Sequence, residues 1–172
     1  MPFSEQIPYQ EDFQFLRELD LGGSHFTRGD KYTIFEIDNC KFAVTICYEA
    51  LFSEFNREYR NRGAQVLFNI TNDGWFKRSP GSYQHYRFNI MRAIENRVYL
   101  CRAGNTGISS IIDPLGFEHG KTSLFTKAVV RGAIYPAIDK LTFFTKHGNY
   151  IGWICVFLTP IMILLALIKA NL

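Results

Sequence analysis

Strand-forming residues fill positions 32–37, a polar Asp38-Asn39 pair interrupts them, and a second such run covers 41–46. This pattern predicts a β-hairpin whose second strand exits at Cys47. Residues 54–62 read as a helix, closed by Gly63 at its C-terminal end. A short apolar strand follows at 66–70, leading into the turn formers Thr71-Asn72-Asp73-Gly74 and the aromatic pair Trp75-Phe76. Over 82–96, Tyr86, Ile90, Ala93 and Ile94 recur at helical spacing and predict one buried stripe. Strands are expected at 98–103, 107–112 and 128–135, with a turn at Asp113-Pro114-Leu115-Gly116. Helices between strands, then strands joined by turns, predict a layered α/β domain with a mixed sheet.

The pattern changes at the C-terminus. Residues 150–168 carry no charged side chain and stop at Lys169, close to the ~20 residues that cross a bilayer core. Tyr150 and Trp153 suit an interfacial aromatic belt, and Pro160 is tolerated in a membrane helix when neighbouring groups satisfy the freed carbonyl. One transmembrane helix is therefore expected, a buried core helix being the alternative. Lys140, Lys146 and His147 flank the other end, so charge orients the span only weakly. Residues 1–10 contain Glu5 and two prolines and lack the layout of a signal peptide. With no earlier span, the domain would stay cytoplasmic unless something upstream carried it across. The chain thus divides into a domain at 1–146 and a helix with a short tail at 147–172.

Composition narrows the function. With 172 residues, 47% of them hydrophobic, the chain can bury one sizeable core. The net charge of +3 is modest, and Lys and Arg are scattered, which argues against a nucleic-acid partner. The four cysteines, at 40, 47, 101 and 155, show no paired spacing, so neither a zinc site nor a disulfide framework is expected, and no cofactor is implied. Cys40 and Cys101 lie in apolar surroundings and read as buried, and Cys155 reads as a small hydrophobe of the tail.

Cys47 stands apart. A thiol at a strand exit is held on rigid backbone, and a nearby helix N-terminus or cation would favour the thiolate. An isolated strand cysteine is more often structural, yet packing alone poorly explains the Tyr48-Glu49 pair that follows it. His25, His85, His119 and His147 form no recognisable pattern with it, which leaves Glu5, Glu49 and Glu95 as carboxylate candidates. Trp75-Phe76 reads either as packing or as the lining of an apolar acyl site.

Taken in order, Thr45-Ile46-Cys47-Tyr48-Glu49, Asn69-Ile70-Thr71-Asn72-Asp73-Gly74-Trp75-Phe76, Gln84-His85, Arg92-Ala93-Ile94-Glu95-Asn96-Arg97 and Asn105-Thr106-Gly107-Ile108-Ser109 resemble the carbon–nitrogen hydrolase (nitrilase) superfamily. Within it, Cys-Tyr-Glu followed by Asn-Asp-Gly-Trp-Phe and a membrane helix resembles the apolipoprotein N-acyltransferase branch. The resemblance implies the C-terminal portion of an α-β-β-α sandwich, an incomplete nitrilase-like α/β fold, followed by one transmembrane helix. It implies acyl transfer from a membrane phospholipid, through a cysteine thioester, to the α-amine of a diacylglyceryl lipoprotein. It implies a bacterial inner-membrane site with the domain on the periplasmic side.

Carried over, Cys47 is the nucleophile, the Tyr48 amide helps hold the oxyanion, and Tyr48 and Glu49 shape the site. Pro2-Phe3-Ser4-Glu5 looks like the family's Pro-Phe-Gly-Glu segment, with Ser4 for glycine, which makes Glu5 a supporting carboxylate. Asn72, Trp75 and Phe76 fall on the substrate side, the two aromatics near the acyl-chain entrance. The family's general-base Glu and its Lys lie ahead of this segment, so an upstream half of the enzyme is an expected partner and little activity is expected without it. Half of the sandwich's strands would then be missing too, leaving open sheet edges and exposed apolar surface. A small-molecule amidase and a non-catalytic remnant are the rival readings.

Overall fold

A computed structural model describes residues 29, 31–138 and 140–170. Within them lies one mixed sheet in the order β1 (Phe35–Ile37), β2 (Cys40–Ile46), β3 (Val66–Asn72), β4 (Tyr99–Asn105), β5 (Ser110–Ile112) and β6 (Glu118–His119). The expected hairpin forms: β1 and β2 are antiparallel, and Asp38 and Asn39 take the left-handed conformations of a tight turn. β2, β3 and β4 are parallel neighbours, with Thr45 opposite Asn69 and Asn69 opposite Arg102. β5 and β6 extend the sheet antiparallel.

The parallel strands are joined by α1 (Ser53–Asn61) and α2 (Pro80–Asn96). Pairs Glu54–Arg57 and Glu58–Arg62 lie along α1, and Gly63, at φ +98°, reverses the chain after it. α2 starts on a Ser79 side chain that accepts from the Gly81 amide, with Pro80 in the first position. Both helices pack on one face of the sheet, where Ala43, Tyr59, Leu67, Tyr86, Ala93, Val98, Leu100 and Ile112 form the core.

Two expectations need correction. Residues 128–135 join no strand ladder, and Val129 is 81% exposed. The α2 stripe holds for Tyr86, Ala93 and the partly buried Ile90 but not for Ile94, which is 41% exposed, and the helix also buries His85, Asn89, Arg92 and Asn96. These four polar residues recur at helical spacing, so the helix buries a polar stripe beside Tyr86 and Ala93. Asn89 and Asn96 bond back to the His85 and Arg92 carbonyls, and Arg92 reaches the Leu51 carbonyl, which satisfies much of this polarity without water.

Alternation along the strands sends a second set of side chains to the helix-free face. Phe42, Val44 and Phe68 are half-buried there, and Ile46 and Ile70 are exposed. Phe35 stacks on Phe42 at 5.4 Å, and Phe42 meets Phe68 edge-on at 5.3 Å. Among the described residues no helix or strand packs over Phe42, Val44 and Phe68, while the irregular segment 130–137 covers the rest of this face, with Tyr135 6.1 Å from Tyr99 and Gly132 against the buried Ile111. With helices on one face only, the fold is an incomplete nitrilase-like α/β layer.

Beyond the sheet, α3 (Phe143–His147) docks on α1 and α2, and α4 (Tyr150–Ala170) leads away from them. Thr142 donates to the Glu95 carbonyl at 2.6 Å, Thr145 to Asn96 at 3.1 Å, and Arg57 to the Thr145 carbonyl at 2.9 Å. α4 is long and apolar enough to cross a membrane, and none of its span is buried against the domain. Thr159 bonds the Cys155 carbonyl within the turn that precedes Pro160.

The packing predicts two different responses to truncation. Leu100→Ala, at a position with no exposure, is expected to lower unfolding free energy by about 2–5 kcal/mol. Ile94→Ala is expected to cost under about 1 kcal/mol. Urea unfolding of the chain in detergent, followed by near-ultraviolet circular dichroism, measures both.

Candidate active site

The parallel strands β2, β3 and β4 end together, and the loops leaving their carboxyl ends converge there, the usual location of a site in an open α/β sheet. β2 delivers Cys47, which begins a 3-10 turn over Cys47–Leu51. Cys47 has φ +50°, a left-handed conformation that costs a non-glycine residue about 1–2 kcal/mol. A strand that ends in such a sharp turn presents its last side chain at the sheet's edge rather than within the ladder.

Several bonds hold this turn. The Ile46 amide donates to Glu49 Oε2 at 2.7 Å. Asn69 Nδ2 donates to the Cys47 carbonyl at 3.2 Å and to Thr45 Oγ1 at 3.1 Å. His85 Nε2 also faces the Cys47 carbonyl, at 3.2 Å. Burial pushes the Glu49 carboxyl above its ordinary range, and its bond from the Ile46 amide offsets this only in part.

Beneath the turn lies a buried charged cluster. Asp73, 1% exposed, follows β3 and opens a second 3-10 turn over Asp73–Phe76. Its Oδ1 accepts from Thr71 Oγ1 at 3.2 Å and lies 2.9 Å from His85 Nδ1. Arg102 Nη2 reaches Oδ2 at 2.8 Å and Oδ1 at 3.1 Å, while Nη1 bonds the Ile108 carbonyl. Burial raises the Asp73 pKa, but the hydrogen bonds from His85 and Arg102 and their charges outweigh it and hold the carboxyl below its ordinary range. The fit is tight: a Cβ at Gly107 would lie 2.2 Å from Asp73 Oδ2, so only glycine is accommodated there.

Aromatic rings cover the imidazole. Tyr48 stacks on His85 with centroids 5.2 Å apart and planes at 21°, and Phe76 lies 5.5 Å from the same ring. Tyr48 and Phe76 are 6.1 Å apart, and Gly81 in the first turn of α2 leaves room for the Phe76 ring.

Among the residues singled out from sequence, Cys47, Tyr48 and Phe76 thus gather around His85. Glu49 is buried on the inner side of the turn and ties it to β2. Asn72 is exposed, and its Oδ1 accepts from the Gly74 amide at 3.1 Å, capping its own turn. Trp75 is 88% exposed on that turn. Glu5 lies outside the described residues. Burial pushes the Cys101 thiol up to about 11, which disfavours a thiolate there. Asp73 and His85 stand in the quoted motifs but were given no role in the site, and Arg102 was not singled out, although His85 opens the polar stripe of α2.

Comparison with known proteins follows the same outline. The carbon–nitrogen hydrolase family profile matches residues 11–139. An apolipoprotein N-acyltransferase of Geobacter metallireducens is 38% identical over 156 residues, covering 91% of this chain and 30% of that protein. One from Chlorobaculum tepidum is 30% identical, covering 99% of this chain and 33% of that protein. The chain therefore spans about a third of the length of these curated relatives. A crystal structure of a carbon–nitrogen hydrolase from Helicobacter pylori G27 superposes with a TM-score of 0.53 at 18% identity. That match covers 58% of this chain and 42% of that one, and it is a likeness of fold.

The cluster makes the protein sensitive to acid. A carboxyl whose folded pKa lies below its unfolded value contributes stability above the unfolded value, and this is lost as pH falls through the folded one. Asp73→Asn is therefore expected to cost about 3–5 kcal/mol at neutral pH and to flatten the fall in stability below about pH 4. Urea midpoints measured from neutral pH to about pH 3 test both the cost and its sign.

Proposed function

This chain belongs to the carbon–nitrogen hydrolase family, and we propose that it is the nucleophile-bearing part of a membrane apolipoprotein N-acyltransferase. One observation carries the reading. A cysteine is presented by a left-handed turn at the sheet's carboxyl edge, in a chain that continues into a helix of membrane-crossing length. An enzyme that takes acyl chains from phospholipid has to hold its thiol at the bilayer surface. A hydrolase of small soluble amides has no such need.

In this reading Cys47 Sγ attacks the ester carbonyl of a phospholipid. The carbon–sulfur bond forms, the carbon–oxygen bond breaks, and the lysophospholipid leaves with a proton. The α-amine of a diacylglyceryl-cysteine lipoprotein then attacks the thioester, so that a carbon–nitrogen bond forms and the thiol is released. The Tyr48 amide helps hold the oxyanion in both steps. Glu49 fixes the turn, and Glu5 is a supporting carboxylate. Tyr48 and Phe76 supply an apolar wall, Trp75 extends it toward the acyl chain, and Asn72 shapes the turn that carries them. The proton acceptor and a lysine near the oxyanion belong to the part of the longer relatives that precedes Pro2. Losing one such stabiliser costs roughly a hundredfold or more in rate. We assign α4 to the bacterial inner membrane, with the domain on its periplasmic side.

The test uses the longest gene product that carries these residues, purified in detergent with phospholipid and a diacylglyceryl-cysteine peptide bearing a free α-amine. N-acylation read by mass is expected, with at least about a thousandfold loss in Cys47→Ala and near-full activity in Cys101→Ala. Hydrolysis of small amides without acyl transfer contradicts the proposal and favours an amidase. Equal losses in both variants contradict the nucleophile.

A further inference from the structure

The Cys47 carbonyl is held from two sides, by Asn69 Nδ2 and by His85 Nε2, each at 3.2 Å. A carbonyl oxygen can only accept, so the contact is a hydrogen bond when Nε2 carries a proton. The other ring nitrogen lies 2.9 Å from Asp73 Oδ1, and that carboxylate also accepts. With a proton on Nε2, the imidazole links the buried Asp73–Arg102 pair to the carbonyl of the left-handed residue. Arg102 Nη2, 3.3 Å from Nδ1, makes its shorter bonds to the same carboxylate. Tyr48 stacked above and Phe76 alongside fix the plane of the ring.

The held carbonyl and the Tyr48 amide belong to one planar peptide unit. Whatever fixes the oxygen fixes the direction of the N–H at the opposite end. Donors on the oxygen also polarise the unit and make that N–H a stronger donor, since linked hydrogen bonds reinforce one another. We propose that His85, seated on Asp73, is a positioning residue that aims and polarises the Cys47–Tyr48 peptide so that its N–H receives the oxyanion. The inference rests on the reading of Cys47 as the nucleophile. It assigns to His85 a task other than that of base, since its Nε2 proton is committed to a carbonyl.

Two reactions of Cys47 separate this role from mere support of the fold. Alkylation by iodoacetamide displaces iodide at a saturated carbon and forms no oxyanion. Acylation by p-nitrophenyl butyrate passes through one: the carbon–sulfur bond forms, p-nitrophenolate leaves, and alkaline buffer takes the thiol proton. The full chain in detergent micelles is used for both, with the modified cysteine identified by peptide mass. In His85→Asn, which keeps an amide near Nδ1 but does not reach the carbonyl, acylation is expected to fall about 10- to 100-fold while alkylation stays within about threefold. His85→Gln, whose amide N–H has the reach of Nε2, is expected to restore acylation to within about threefold of the unsubstituted chain.

Equal losses in both reactions, or acylation at Cys47 indifferent to His85, overturn this inference alone. Acylation of another cysteine in the unsubstituted chain overturns the nucleophile assignment and this inference with it. A second measurement needs no variant. Nitrogen-15 spectra of the His85 ring are expected to show a proton on Nε2, and a bare Nε2 overturns the proposal.

Discussion

Asp73 is 1% exposed, and a carboxylate removed from water needs its charge and its lone pairs answered by neighbours. The surrounding residue choices follow from that demand. Arg102 meets it from β4, His85 from α2 and Thr71 from the end of β3, while Gly107 yields the space. Three elements distant in sequence are pinned at one point below the carboxyl ends of the parallel strands. The left-handed turn at Cys47 rests on this point through His85, and Asn69 adds a second support from β3. The strain of a non-glycine residue at φ +50° persists because the surrounding bonds over-determine it.

A second set of bonds relates the site to the membrane-length helix. Arg92 spans from α2 to the Leu51 carbonyl, at the end of the turn that Cys47 begins. Three and four residues further along α2, the Glu95 carbonyl and the Asn96 side chain accept bonds from Thr142 and Thr145 of the segment that leads into α4. Glu54 of α1 receives the Asn149 amide at 3.2 Å, immediately before α4 begins. The turn that Cys47 begins and the segment leading into α4 are thus both bonded to the same pair of helices. Such coupling suits a reaction in which the acyl donor resides in the bilayer.

Much of the fold was legible because local signals agreed with the tertiary outcome. The hairpin turn at Asp38-Asn39, Gly63 after α1 and the uncharged run before Lys169 each carry their own punctuation. The reading of 128–135 failed because β-branched residues such as Val129 and Val130 signal extended backbone without supplying a ladder partner. The α2 stripe was legible at Tyr86, Ile90 and Ala93 but incomplete, because apolar periodicity cannot register a buried face made of His85, Asn89, Arg92 and Asn96. For the site, Cys47 was legible from its position at a strand exit. The cluster below it was not, since Asp73 meets partners 12 and 29 residues away, and His85 meets Cys47 across 38. A helical repeat of polar residues opening with a histidine was the one signal that pointed to it.

We propose that, of the four cysteines, Cys47 carries the acyl group. The test maps hydroxylamine-labile acyl chains by peptide mass spectrometry on the longest gene product that carries these residues, isolated from membranes without added substrate. A fatty acyl thioester on the peptide containing Cys47 is the expected result. Acyl chains confined to Cys40, Cys101 or Cys155, with Cys47 unmodified, would contradict it.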